Sequence, residues 1–454
     1  MISYHLSTAS ARKSTESLIH LANLVICSHD AIIIIKIICS HTICKQYFNN
    51  TFCLLCRNIV ENGDCFLKAS DSDAPKMPIP FTSNGKRHSI IYPDAKGSLN
   101  VKSGLSFKLS CGTSKFASNA IRRNGTADAL VTCVGNDLLA YRGETYQYTE
   151  FRCNDMPKSE LRVTGEMCQP ANYTVATVGF RTDRAFLQLY SMCFDKSTKN
   201  SLYTWYDARS PYYDNHQKYS KRPSFINSKE LYGKTDVNKK YTIKEQKKSV
   251  ALILRSEQLA DKYIRNDNQH SLSRGHYAAK VDFFFAYEQT ATFYYANVAP
   301  QWQIFNGNMW ADLEQSTRTK LDQDSGTSRH IIITGTYDVC TLADVDDVQQ
   351  PLYLDLPRSI PVPLFYWKLY YNVDTADGIV YIGLNNPYKT IDDSVFICPN
   401  ICPNGYHGRG YLDKGSENDD PEPDANNGLI YCCTKESFEN VYGKLDPIVY
   451  RPLM

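Results

Sequence analysis

The chain is 454 residues and 51.6 kDa, with 43% hydrophobic and 22% charged residues. This length allows two or three domains of about 150 residues each, and the composition excludes a wholly disordered, collagen-like or multi-span membrane protein. Fifty basic against 48 acidic residues leave a net charge of +2, so any nucleic-acid binding must come from a local patch.

Residues 1–70 read as a leader with an uncertain cysteine-rich segment. The apolar run 18–27 (LIHLANLVIC) follows Arg12 and Lys13, roughly the layout of an export signal. A second run, 31–38, is interrupted by Lys36, and neither run reaches the ~20 apolar residues that a bilayer crossing needs. A membrane anchor is therefore the minority expectation. Cys39, His41, Cys44, Cys53 and Cys56 fit no strong zinc spacing, so disulfides or an unstructured leader are favoured over a metal. Sixteen cysteines and N-x-S/T sites at Asn49, Asn124 and Asn172 point to an oxidising, secreted setting, with Asn124 and Asn172 the expected glycosylation sites.

A Ser/Asp/Pro/Lys stretch near 70–85 reads as a linker. Short β-branched and aromatic runs separated by Gly/Asn/Asp turns then predict a β-rich module over 71–195. Cys111, Cys133, Cys153, Cys168 and Cys193 are available there for bridges. Residues 218–248 carry a local charge of +7, read either as a solvated face or as part of a polyanion-binding surface. Residues 413–424 form an acidic, Pro-containing loop without evident chemistry.

The chemistry lies in 271–321. A β-like run ends at Arg274-Gly275-His276, and a segment beginning at Asn297 (NVAPQWQIFN) brings Asn306 some 30 residues after His276. Asn306 is a candidate N-cap for a helix on which Trp310, Glu314 and Arg318 recur every fourth residue along one face. These residue types suit phosphodiester hydrolysis. A neutral histidine can take a proton from water near pH 7. An amide oxygen and a carboxylate suit Mg²⁺, and arginines can hold a phosphate bidentately. Taken singly the elements are weak, since a Glu–Arg pair at i,i+4 is usually a surface salt bridge and Trp310 reads as helix packing.

In its ordered combination (RGH, then NVAPQ, then N-x-x-x-W-x-x-x-E-x-x-x-R) the sequence resembles the DNA/RNA non-specific endonucleases, the ββα-metal or His-Me finger nucleases. The YANVAPQWQIFN segment is most similar to secreted arthropod nucleases, including gut double-stranded-RNA nucleases. The resemblance covers roughly 200–450, with IIITGTYDVC (331–340) and PVPLFYWKLYY (361–371) resembling later core strands. It implies an α+β nuclease domain over 196–454 on a mainly antiparallel sheet. It also implies His276 as general base, Asn306 as direct Mg²⁺ ligand and Glu314 orienting water on the metal. Arg274 and Arg318 would contact phosphate, Asn297 would support the site, and Arg222 in RPSF would match a further phosphate-binding arginine. Ser273 departs from the family pattern, where many members carry Asp. The implied activity is extracellular cleavage of DNA and RNA with 5′-phosphate products, Mg²⁺ as cofactor with Mn²⁺ as a substitute, nucleic acid as substrate and no stable protein partner. A nucleic-acid-binding pseudonuclease and a structural secreted glycoprotein remain the alternative classes.

Overall fold

Alternating burial builds the first strands. In Asp128–Gly135 (DALVTCVG) every second side chain is buried, because one face of the sheet packs on a core and the other meets solvent. The computed structural model describes residues 63–452 except 69–72, 86, 95, 120, 122–126, 170, 172, 209–216, 218, 220–221, 268, 325–327 and 403–427. Residues 1–62, Asn124, Asn172 and the acidic loop 413–424 thus lie outside the described residues.

The strands used below are numbered in chain order. Six antiparallel strands, β1 (Ile79–Asn84), β2 (Arg87–Ile90), β3 (Ser106–Ser110), β4 (Asp128–Gly135), β5 (Leu138–Tyr141) and β6 (Glu144–Gln147), form one sheet in the order β2-β1-β3-β4-β5-β6. Cys65–Cys133 and Cys111–Cys153 bridge it to flanking segments. Next come β7 (Ser159–Cys168), β8 (Tyr173–Arg181), β9 (Phe186–Asp195) and β10 (Asn200–Ala208). A hairpin, β11 (Leu272–His276) and β12 (Val298–Trp302), follows. Then come β13 (His330–Val339), β14 (Pro363–Asn372), β15 (Asp377–Leu384) and β16 (Leu429–Thr434). All but the hairpin join an eight-stranded sheet in the order β16-β15-β14-β13-β10-β9-β8-β7, every neighbouring pair antiparallel.

The sequence boundary at 195/196 falls inside this sheet, between β9 and β10, because β7–β9 hydrogen-bond onward into the strands that follow. The fold is α+β and mainly antiparallel, as the sequence implies, and β13 and β14 coincide with the two predicted core strands. Cys168–Cys193, Cys398–Cys433 and Cys402–Cys432 are further disulfides, and buried Cys340 has no disulfide partner among the described residues. Among the described residues no helix is long and apolar enough to cross a membrane.

The central strands are apolar on both faces because both faces are covered. Ile331, Ile333, Phe365, Trp367 and Leu369 point to one core, packed by the helix Lys435–Tyr442 through Phe438. Ile332, Tyr366 and Tyr370 point to the other, which carries the hairpin and three helices used below: α1 (Ile243–Leu254), α2 (Gln303–Gly307) and α3 (Met309–Gln323). Packing is tight enough in mid-sheet that Gly335 is required. A Cβ there would stand 2.3 Å from Trp367 Cζ2 and 2.6 Å from the Leu202 carbonyl oxygen. Gly335→Ala should therefore cost about 1–3 kcal/mol, as overpacked cores do, read as a lower denaturant midpoint in equilibrium unfolding.

Candidate active site

The hairpin is sewn to the sheet by polar groups that would otherwise be stranded in the interior. Tyr366 Oη donates to the Ala299 carbonyl at 2.8 Å and Tyr277 Oη to the Ser201 carbonyl at 2.6 Å. Buried Asn385 accepts from Trp302 N at 2.9 Å and donates to the Pro300 and Pro363 carbonyls at 3.2 and 2.8 Å. At the hairpin's outer end, Gln246 of α1 exchanges two 2.9 Å hydrogen bonds with the backbone of Leu272. The helix of the basic segment thus clamps the strand that carries the candidate chemistry.

Successive residues of β11 face opposite ways. Gly275 faces the sheet, where a Cβ would lie 2.2 Å from Gln301 Oε1 and 2.6 Å from Tyr366 Oη. That close approach explains the glycine in Arg-Gly-His. Arg274 and His276 therefore share the other face. The Arg274 guanidinium carbon lies 4.9 Å from the ring centre of Tyr241, 5.4 Å from Phe225 and 5.7 Å from Tyr295, a geometry favourable for cation–π attraction. Asn238 Oδ1 accepts from Arg274 at 3.2 Å and from Tyr295 Oη at 2.7 Å. The basic segment 218–248 therefore reaches the site through Asn238 and Tyr241.

His276 packs against Phe225 and Phe293, at centroid distances of 5.4 and 5.3 Å. Its Nε2 is buried and meets no hydrogen-bond partner among the described residues. Burial, followed by the nearby charge of Arg222, lowers its pKa from 6.5 to about 4, against the upward pull of the Arg274 backbone and Asp282. The imidazole is consequently neutral at pH 7, the state a base requires. Arg222 is exposed, and its charge is also felt by Lys280.

Asn297 is fully buried and spends its amide on the backbone. Oδ1 accepts from Ala278 N at 3.0 Å, while Nδ2 donates to the Ala278 and Thr292 carbonyls at 2.9 and 3.0 Å. It holds the chain just beyond His276 rather than facing solvent.

Asn306 is not a helix cap. It sits inside the short helix α2, and α3 begins at Met309 after Asn308, whose backbone (φ −114°, ψ −103°) breaks the two helices apart. The side chain turns away from the helix end because Nδ2 donates to Ser273 Oγ at 2.9 Å, across to β11. Trp310, Glu314 and Arg318 do share one helix, α3, and Trp310 is wholly buried against Phe305 and Tyr366. Arg318 is 5% exposed and its Nη1 lies 2.9 Å from Asp282 Oδ1. Tyr206 Oη donates to the other oxygen of Asp282. Glu314, Arg318, Asp282, Tyr206 and Lys368 line one small pocket between α3 and the sheet. Burial raises Glu314 to about 7, partly offset by Lys368 and Arg318.

Asp282, Lys368, Asn238 and Gln246 were not picked out from the sequence. The first two had a legible signal in a charge beside or inside an apolar run, Asp282 before FFF and Lys368 within YWKLYY. Gln246 and Asn238 had none, since each acts through a partner distant in sequence.

Among the described residues no group of three or more His, Cys, Asp or Glu is arranged to hold a metal ion. The donor set suits a different kind of ion, one that keeps most of its waters and needs only one or two protein oxygens, as Mg²⁺ does. Asn306 fits that role: its nitrogen is anchored, and among the described residues no hydrogen bond engages Oδ1.

An antiparallel hairpin carrying Arg-Gly-His, followed by a helix carrying Glu and Arg, is the ββα unit of a nuclease. Residues 169–437, more than half of the chain, match the DNA/RNA non-specific endonuclease family, and the chain belongs to that family of metal-dependent nucleases. The chain is 29% identical over 297 residues to a salivary endonuclease of Lutzomyia longipalpis, covering 64% of this chain and 66% of that protein. It is 24% identical over 398 residues to salivary protein Tsal2A of Glossina morsitans morsitans, covering 85% and 92%. A crystal structure of an EndoG/EndoGI complex aligns at 18% identity over 53% of this chain and 82% of that one, with a TM-score of 0.28.

The surroundings of His276 make a prediction independent of activity. Its ring resonances should titrate near pH 4 rather than 6.5 in NMR of the intact protein. Arg222→Ala removes a charge that disfavours the imidazolium, so the titration should move upward.

Proposed function

We propose that this chain is a secreted, Mg²⁺-dependent endonuclease that hydrolyses phosphodiester bonds of DNA and RNA with little sequence preference, leaving 5′-phosphates. One observation carries the reading: a neutral histidine with a buried, unengaged Nε2 shares a strand face with an arginine held among three aromatic rings. That pairing sets a proton acceptor beside a fixed positive charge, the two requirements for attack of water on a phosphodiester.

In this reading His276 Nε2 takes a proton as the water oxygen bonds to phosphorus. The bond from phosphorus to the 3′-oxygen breaks, and that oxygen leaves with a proton. Arg274 and Arg222 oppose the charge that builds on the phosphoryl oxygens. Glu314 orients water, and Arg318, its charge shared with Asp282, supports the phosphate. Mg²⁺ held at Asn306 would supply further positive charge where the phosphodiester reacts. Asn297 keeps the strand end in place beyond His276. Weak sequence preference follows if contacts go mainly to phosphate and sugar, which carry no base information. Secretion is supported by the five disulfides among the described residues and by the salivary relatives, and glycans would sit at Asn124 and Asn172.

Purified protein should degrade plasmid DNA and double-stranded RNA with Mg²⁺ and stop on adding EDTA. His276→Ala should lower turnover by ~10²–10⁴, the worth of positioned proton transfer, while Asn306→Ala should leave residual activity that needs far more Mg²⁺. Near wild-type turnover in His276→Ala refutes the mechanism; retarded but uncleaved nucleic acid would instead mark a binding protein.

The basic segment can be tested separately. Lys240 pairs with Asp355 at 2.8 Å and Lys247 with Asp261 at 2.5 Å, whereas Lys239, Lys244 and Lys248 are exposed. Neutralising those three should flatten the salt dependence of binding to an uncleavable duplex, as fewer counterions are released. An unchanged slope would make the segment a solvated face.

A further inference from the structure

We infer that Ser273 is the positioning residue that turns the Asn306 amide so its oxygen faces a cation. The inference rests on the metal-dependent reading above and deepens it. Ser273 Oγ lies 2.9 Å from the Gln301 carbonyl oxygen and 2.9 Å from Asn306 Nδ2. A carbonyl oxygen can only accept, so the single hydroxyl proton of Ser273 is committed to Gln301. The hydroxyl can then only accept from Asn306. Of the two ends of an amide, only the NH₂ can donate, so the nitrogen must face Ser273 and Oδ1 must face away from it.

Three residues thus form a one-way relay, from the Asn306 amide to the Ser273 hydroxyl to the Gln301 backbone. Its last acceptor is fixed, because Gln301 lies in β12, paired with Ser273 in the hairpin register. Without the relay the amide can turn over and present hydrogens to a cation, which repel it. Asn306 is half-buried and lies in a helix of five residues, so little else of its own helix restrains the side chain. Ser273 also lies on the same face of β11 as Gly275, opposite to Arg274 and His276, so it can orient Asn306 without touching the reacting groups.

A carboxylate at 273 would accept the same amide hydrogens but could not donate to Gln301. It would add a negative charge near the cation in exchange for a lost backbone hydrogen bond. The serine achieves the orientation without that charge.

The test is Mn²⁺ binding to the full chain, followed by electron paramagnetic resonance without substrate. Wild-type protein should bind, and Asn306→Ala should abolish binding. Ser273→Ala should weaken it by about 10-fold, the scale seen when a group that orients a metal ligand is removed. Ser273→Thr, which keeps the hydroxyl, should restore it. Ser273→Cys, a poor acceptor of similar size, is the second variant should the alanine not fold, and it should weaken binding likewise. In nuclease assays the lost activity of Ser273→Ala should return as Mg²⁺ is raised. Wild-type Mn²⁺ affinity in folded Ser273→Ala or Ser273→Cys overturns the role of Ser273 alone. Affinity that survives Asn306→Ala overturns the metal reading and this inference with it.

Discussion

Four ionisable side chains pack together between helix α3 and the central sheet, and the geometry of the site depends on their mutual compensation. Asp282, Glu314, Arg318 and Lys368 line one pocket in which two acids face two bases. Isolated charges are too costly to bury, but a group with matched signs and satisfied hydrogen bonds can be held. Arg318 donates to Asp282, Tyr206 donates to the same carboxylate, and Lys368 donates to Thr334 at 2.8 Å. The Lys368 ammonium also lies 5.8 Å from the ring centre of Trp310, so the cluster fixes α3 from two sides. Because Asp282 also acts on His276, the charge state of the cluster reaches the hairpin as well.

The same economy governs the hairpin. Its outward face is given to Arg274 and His276, and its inward face is held by Tyr366, Asn385 and Gln246, each satisfying backbone groups that no neighbouring strand reaches. Aromatic rings then replace water around the outward pair. Burial lowers the basicity of His276, while the same aromatic wall offers ring faces to the Arg274 guanidinium.

Much of this was legible in the chain. Arg-Gly-His ends a strand, Trp310, Glu314 and Arg318 share a helix face, and IIITGTYDV and PLFYWKLYYN are core strands because their apolar runs are continuous. What was not legible depended on long-range partners. Asn306 had the residue type of a cap, but its amide found a better partner across the fold in Ser273. The boundary at 195/196 followed the extent of the family resemblance, whereas strand pairing runs across that position. Asp282 and Lys368 were passed over, and only packing shows that they answer Arg318 and Glu314.

The order of strands in the large sheet also has a consequence for how the molecule forms. Strands β10 and β13 are hydrogen-bonded neighbours, yet the chain between them, residues 209–329, includes the hairpin, the clamping helix and α3. Pairing β10 with β13 closes that entire stretch as a loop, an entropic cost that must be met before the contacts inside it are rewarded. The sheet on either side consists of antiparallel neighbours in chain order, β7 to β10 and β13 to β16. This topology therefore includes one long non-local closure, and bonds that tie the site to the sheet, such as that of Tyr277 to the Ser201 carbonyl, lie across it.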